Sequence, residues 1–317
     1  MKIVFWGTSE FAARILSDLL SKSFEIVAVV TRLDMPQGRS LQLTPPPVKK
    51  FLIDSASEIP IHQPEKASKP EFAQILSSYN ADLFLVVAYG EILRQNILDI
   101  PLKGCINIHT SLLPKYRGAA PIQRCLMDGC SESGITIIEM VKKMDAGDVI
   151  AQEVVSIPEN MNFGQLEEAL LQGAFNLVPK VINDFDQFYK NKTEQNENLV
   201  TFAAKILPDD MEINWNDSAQ KNHNKIRALS PYPGAYCRVK IGDEVKRLKI
   251  KSSSVLLGLK RDPSSILSQN KELVIACSEG ALSLGDVQLE GKKIMTAGDF
   301  LKGIHQKISF SLPASSL

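Results

Sequence analysis

Nowhere in these 317 residues do two cysteines stand in a Cys-x-x-Cys spacing, and no apolar run approaches the roughly 18 residues that a membrane-crossing helix needs. The five cysteines are Cys105, Cys125, Cys130, Cys237 and Cys277, and the Cys125–Cys130 pair has no nearby histidine to complete a metal set. They read as free thiols in a reducing compartment. The opening MKIVFWGTSEFAARIL has too short an apolar stretch for a signal peptide, so a cytoplasmic protein is the expectation. That same segment offers one glycine where a dinucleotide loop G-x-G-x-x-G needs three, each with its own steric task. Neither G-x-x-x-x-G-K-[ST] nor H-E-x-x-H occurs. Nicotinamide-dependent redox chemistry, P-loop nucleotide hydrolysis and zinc peptidase chemistry are therefore disfavoured, and no metal is expected.

An excess of one charge sign is missing too: 36 Lys+Arg balance 36 Asp+Glu. The distribution is uneven, however. Residues 1–205 carry 20 basic and 24 acidic side chains, whereas residues 206–317 carry 16 and 12, net −4 against net +4. The C-terminal third is thus where a polyanion would bind.

At this length two domains are expected. The first half alternates strand-like runs (KIVFWG, EIVAVVT, ADLFLVVAYG, GCINIHT) with helix-like ones. In SEFAARILSDLLSK, Phe11, Ile15, Leu16 and Leu19 recur at helical spacing behind Ser9 as N-cap, and PPPVKKFLIDSA is a helix opened by prolines. Such alternation implies a Rossmann-like, mostly parallel sheet covered on both faces, with ligands beyond the carboxyl ends of the strands. GITIIEMV and GDVIAQEVVSI are further strands, and residues 163–189 form a long helix kinked at Pro179. The Asn- and Glu-rich stretch that follows reads as a linker, giving a catalytic domain at 1–189, a linker at 190–206 and a second domain at 207–317.

That second domain is mostly short strands between Gly, Asp and Ser turns, with one late helix near AGDFLKGI, which suits a small β-barrel of the oligonucleotide-binding type. Within it YCRVKIGDEVKRLKIK predicts a hairpin around Gly242-Asp243 that pairs Arg238 with Arg247 and Val239 with Lys246. Alternation then places Cys237, Val239, Ile241, Leu248 and Ile250 on one face. Arg238, Lys240, Arg247, Lys249 and Lys251 fall on the other, beside Tyr236. That face could follow a nucleic-acid backbone, or simply be a solvated face whose lysines discourage edge pairing.

The densest chemistry lies in GCINIHTSLLPKYRGAAPIQ (104–123). Asn107 and His109, two apart on a strand, point to the same side at a strand's end. A carboxylate downstream in MVKKMDAGDVI, Asp145 or Asp148, supplies a third group. An amide, an imidazole and a carboxylate suit a reaction that passes through an oxyanion and needs its protons managed. They also suit a histidine that merely braces a loop.

INIHTSLLPKYRGAAPIQ followed by MDAGDVI closely resembles the folate-dependent formyltransferases. GTSEFA, TRLDMPQGR, VVAYGEIL, INW and PYPGAY recur in order over nearly the whole chain, as in the branch that acts on tRNA. The resemblance implies a Rossmann-like catalytic domain, a linker and a C-terminal barrel touching tRNA. It implies catalytic roles for Asn107, His109 and Asp145, with Ser111, Leu112, Leu113 and Pro114 shaping a cleft for 10-formyltetrahydrofolate and no metal. The implied acceptor is initiator methionyl-tRNA, met by Arg39 and Lys205 as well as Arg238, Lys240, Arg247 and Lys249 of the hairpin. The loop after PQGR reads SLQLTPPP where that family is commonly Lys-rich. Sugar-nucleotide formyltransferases and non-catalytic RNA-binding relatives are the competing readings, and a monomer is expected.

Overall fold

The computed structural model describes residues 1–37, 42–269 and 271–312. Arg39 lies outside the described residues. The chain divides into two compact units. One comprises residues 1–118, 132–156 and 167–202, and the other residues 119–131, 157–166 and 203–317.

The first unit is built on a seven-stranded sheet in the spatial order Val149–Ser156, Glu132–Glu139, Cys105–His109, Leu83–Val87, Ile3–Gly7, Ile26–Val30, Ile61–His62. The five strands from Cys105–His109 to Ile61–His62 are parallel, Glu132–Glu139 pairs antiparallel with Cys105–His109, and Val149–Ser156 pairs antiparallel with Glu132–Glu139. Ile3–Gly7 and Leu83–Val87 are buried at every position, as a central strand covered on both faces must be. Trp6, Phe84 and Tyr89 pack on one face with Phe72 and Leu76 of the helix Pro70–Ser77. Chain order reverses between Ile3–Gly7 and Leu83–Val87, so the fold has its switch point at the carboxyl ends of these strands.

Local expectations are met where the signal was local. Ser9 caps the helix Glu10–Ser21 by accepting from Ala12 N at 3.2 Å. The helix Pro47–Asp54 begins on its prolines. The single helix expected over 163–189 divides, but not at its proline. The long helix runs unbroken from Phe163 to Asn183 through Pro179, and the interruption comes at Asp184, before a short helix Phe185–Lys190. Proline at 179 removes the N–H that would bond to the carbonyl of Phe175, four residues earlier. Lys22 Nζ donates to that carbonyl at 3.0 Å instead, so the orphaned acceptor is satisfied from another helix. The segment read as a linker is also more than a tether. Thr193 pairs with Val149, and Gln195 is 6% exposed within the first unit.

The second unit contains two antiparallel sheets. One is ordered Met295–Thr296, Asp286–Leu289, Glu244–Ile250, Ala235–Ile241, Ile308–Phe310, and the other Ser253–Leu256, Ala281–Leu284, Leu273–Ala276, Ile266–Ser268. Both contribute to a single apolar core around Trp215, Leu248, Leu273, Leu282 and Phe300. The hairpin has the expected register, Arg238 opposite Arg247 and Val239 opposite Lys246. The late helix is Ala297–Lys302.

A helix at Ala219–Ala228 was not legible, because the side chains it buries are largely polar: Asn222, His223, Asn224 and Arg227. Its buried Arg227 donates to Asn224 Oδ1 (2.9 Å), the Met161 carbonyl (3.1 Å) and the Leu126 carbonyl (3.4 Å). That guanidinium joins three separate stretches of sequence into the second unit.

His223 on this helix has a consequence for pH. Burial, with the Arg227 charge adding to it, holds the imidazole below the usual histidine range. The unfolded chain takes up a proton near pH 6.5 that the folded chain refuses. Stability from this group is therefore complete above that pH and falls as pH drops towards the lower folded value, by up to about 1.4 kcal/mol per pH unit. Urea midpoints between pH 7.5 and 5 should decline less steeply in His223→Asn than in the parent. Equal slopes would assign the acid sensitivity elsewhere.

Candidate active site

Asn107 and His109 lie at the carboxyl end of Cys105–His109, a strand held by Leu83–Val87 on one side and by Glu132–Glu139 on the other. His109 is 6% exposed. Its Nε2 is 2.9 Å from the Tyr116 carbonyl, and a carbonyl can only accept, so Nε2 carries hydrogen. Nδ1 is left facing Asp145 Oδ2 at 3.7 Å. Asn107 Nδ2 lies 3.5 Å from Asp145 Oδ1, a long contact of the kind that tightens when a ligand arrives. The structure thus decides between the two downstream carboxylates: Asp145 joins Asn107 and His109, while Asp148 lies 3.4 Å from Lys192 Nζ.

Backbone geometry explains how Asp145 gets there. It has φ +52°, and its Oδ2 accepts from the Gly118 N–H at 2.9 Å. Gly118 itself has φ +131°, a conformation that L side chains rarely adopt. Gly147 passes so close to the neighbouring strand that a Cβ there would lie 1.9 Å from the Glu139 carbonyl oxygen.

The loop after His109 is tied down from beneath. Thr136 Oγ1 donates to the Ser111 carbonyl (2.6 Å) and accepts from Leu113 N (3.1 Å) and Gln152 Nε2 (2.9 Å). Gln152 Nε2 also reaches the Leu113 carbonyl at 2.8 Å. Of the residues expected to shape a folate cleft, Ser111 is fully buried with its hydroxyl on the Lys115 carbonyl (2.7 Å), and Leu113 is buried. Leu112 and Pro114 are partly exposed. Thr136→Val keeps the side chain's shape but strands the Ser111 carbonyl and the Leu113 N–H. It should destabilise the protein by about 1–3 kcal/mol, read as a lower urea midpoint.

Two supporting residues carried no sequence signal strong enough to assign. Arg117, 1% exposed, donates from Nε (3.1 Å) and Nη2 (2.8 Å) to Gln195 Oε1. Gln195 Nε2 in turn donates to the carbonyls of Asp145 (2.8 Å) and Gly147 (2.7 Å). The partner of Arg117 lies 78 residues away, where no local pattern points to it.

The expected RNA-facing cations are placed differently from one another. Lys205 is exposed. On the hairpin, Lys240 is exposed, Arg247 stacks over Tyr236 at 4.3 Å, and Arg238 pairs with Glu212 at 2.9 Å. Lys249 and Lys251 each donate to a carbonyl of the 231–233 turn, at 2.9 and 2.7 Å. The basic face exists, but Glu212 and the turn already engage part of it.

The amide and carboxylate of this set are partly exposed around a buried imidazole at the carboxyl end of a parallel strand. Residues 1–182 match the formyl transferase family, and residues 205–305 match the formyl transferase C-terminal domain. The chain belongs to the formyltransferase family. Methionyl-tRNA formyltransferase of Protochlamydia amoebophila is 48% identical over 305 residues, spanning 96% of this chain and 95% of that one. The Staphylococcus epidermidis protein of the same name is 40% identical over 309 residues, 97% of each chain. Among solved structures, a sugar 3N-formyl transferase, WlaRD, superposes with TM-score 0.65 at 19% identity, covering 92% of this chain and 99% of its own. Aquifex aeolicus HypX in complex with tetrahydrofolic acid superposes with TM-score 0.64 at 17% identity, over 99% of this chain and 51% of that one. These two share the formyltransferase fold with this chain. Among the described residues no group of His, Cys, Asp or Glu could hold a metal ion, and no helix is long and apolar enough to cross a membrane.

Proposed function

We propose that this formyltransferase acts as a monomeric cytoplasmic enzyme that transfers the formyl group of 10-formyltetrahydrofolate to the α-amino group of methionyl initiator tRNA. The observation that carries the substrate is the 40–48% identity to methionyl-tRNA formyltransferases, which extends through the C-terminal domain as well as the catalytic one. Catalysis is assigned to residues 1–189 and tRNA contact to residues 207–317 together with Arg39 and Lys205.

The residues present suit a formyl donor. Asn107 and the ring of His109 offer N–H groups, beside a carboxylate that can only accept. Ser111 to Pro114 form the loop that would shape the folate side. When bound, the donor supplies an activated formyl carbon. Asn107 Nδ2 carries two hydrogens, and one directed at the formyl oxygen stabilises negative charge growing there. His109 Nδ1 lies 3.7 Å from Asp145 Oδ2, beyond hydrogen-bond length, so a proton there is open to the formyl oxygen as a second donor. Asp145, held by the Gly118 N–H, helps move the proton released by the attacking amine, directly or through water, to N10 of the tetrahydrofolate that departs as its bond to the formyl carbon breaks. That amine has a pKa of about 7.7–8.0, so a useful neutral fraction exists near pH 7.

The test is formyl transfer from 10-formyltetrahydrofolate to three acceptors: methionyl initiator tRNA, methionyl elongator tRNA and a 4-amino sugar nucleotide. Formyl-methionine on initiator tRNA alone is the expected result. Transfer to the sugar alone would overturn the substrate, and folate binding without transfer to any acceptor would overturn the enzyme. A salt titration of tRNA binding adds a second check, since each phosphate neutralised contributes about −0.7 to −0.9 to the log–log slope. A slope that Lys240→Ala and Arg247→Ala leave unchanged would remove the hairpin from the interface.

A further inference from the structure

We propose that Gln195, oriented by the buried guanidinium of Arg117, is a positioning residue that sets Asp145 in the catalytic group. The inference rests on the formyl-transfer reading for its kinetic effect, but its structural part stands independently.

Three observations carry it. First, the orientation of the Gln195 amide is unambiguous. Arg117 donates to one end from both Nε and Nη2, at 3.1 and 2.8 Å, so that end is the oxygen. The other end is then NH₂, and its two hydrogens go to the carbonyls of Asp145 and Gly147. Second, those carbonyls belong to a turn that strains against its own preferences. Asp145 has a left-handed φ of +52°, and Gly147 is pressed against the Glu139 backbone. Third, Arg117 spends a buried charge on this task. It is 1% exposed, with Nη1 lacking any partner among the described residues, and the carboxylate on Nη2 belongs to the half-exposed Glu197, at 2.9 Å. An arginine buried with its hydrogen bonds incomplete is costly to keep for packing alone.

The chain of contacts is therefore Glu197, Arg117, Gln195, then the Asp145 and Gly147 carbonyls, with the Gly118 N–H gripping the Asp145 carboxylate from the residue next to Arg117. Gln195 touches none of the reacting atoms. Its effect is on where the carboxylate stands relative to Asn107 and His109, and a displacement near 1 Å there is worth about 10²-fold in rate.

Two variants separate this role from bulk packing. Gln195→Met keeps the volume and loses both donors. Gln195→Glu keeps an acceptor for Arg117 but sets a carboxylate oxygen against the two carbonyls. In both, kcat should fall about 10–100-fold while KM for the formyl donor and for methionyl-tRNA stays within about threefold. Amide hydrogen exchange of residues 144–148 should quicken about tenfold or more, with the central strands unchanged. Gln195→Met with kcat within threefold of the parent and unaltered exchange would overturn the proposal. So would a variant whose exchange rises throughout the first unit and whose KM values worsen along with kcat, since that is a fold effect. Should the parent fail to formylate methionyl-tRNA, the functional reading falls, while exchange at 144–148 still decides the role of Gln195.

Discussion

Asn107→Ala and His109→Ala are each expected to lower kcat about 10²–10³-fold while leaving the affinity for methionyl-tRNA within about threefold. The two side chains project from one strand towards the same carboxylate, 3.5 and 3.7 Å away, and neither belongs to the basic hairpin face. In the proposed mechanism, loss of Asn107 removes a donor to an oxygen whose charge develops only in the transition state, so the effect is expected on turnover and not on binding. Loss of His109 does the same. It also frees the Tyr116 carbonyl that the ring's Nε2 holds at 2.9 Å, which makes the two losses unequal. Because both act with Asp145, the double variant should be little worse than the weaker single one. Single-turnover formylation and filter binding of the same preparations measure both quantities. Near-parental turnover in either variant would remove that residue from the chemistry.

Gly147→Ala should cost about 1–3 kcal/mol of stability and about 10²-fold in kcat. The added Cβ would sit 1.9 Å from the Glu139 carbonyl oxygen and 2.8 Å from its carbon. Both are backbone atoms of a paired strand and cannot rotate away as a side chain would. Glu139 N also donates to the Asp148 carbonyl at 3.0 Å, so the two stretches are already locked together at that point. The turn must therefore lift, and it takes with it the Asp145 carboxylate and the Gly147 carbonyl that Gln195 holds. Urea denaturation and steady-state kinetics would show both losses. A stable variant with lost activity would mean that the turn absorbs the methyl by shifting Asp145 alone, and a fully active one would contradict the close approach.

The sequence by itself determined whatever depends on neighbours a few residues away. Period-two alternation set the register and the two faces of the Ala235–Ile241 and Glu244–Ile250 hairpin, with Gly242-Asp243 as its turn. The capping serine at Ser9, the proline entry at Pro47–Asp54 and the buried parallel strands follow from local chemistry in the same way. Asn107 and His109 share a side because a strand's side chains alternate, whatever the rest of the chain does.

Tertiary structure decided what depends on groups far apart in sequence. It selected Asp145 over Asp148, 38 residues from Asn107, and it brought Gln195 to Arg117 across 78. It allowed Pro179 inside a helix because Lys22, 153 residues earlier than its acceptor, supplies the missing hydrogen bond. It also made a helix of Ala219–Ala228, whose buried polar side chains find partners only in the folded unit. Burying a polar group is costly unless a partner meets it, and hydrophobic periodicity carries no information about where that partner will be.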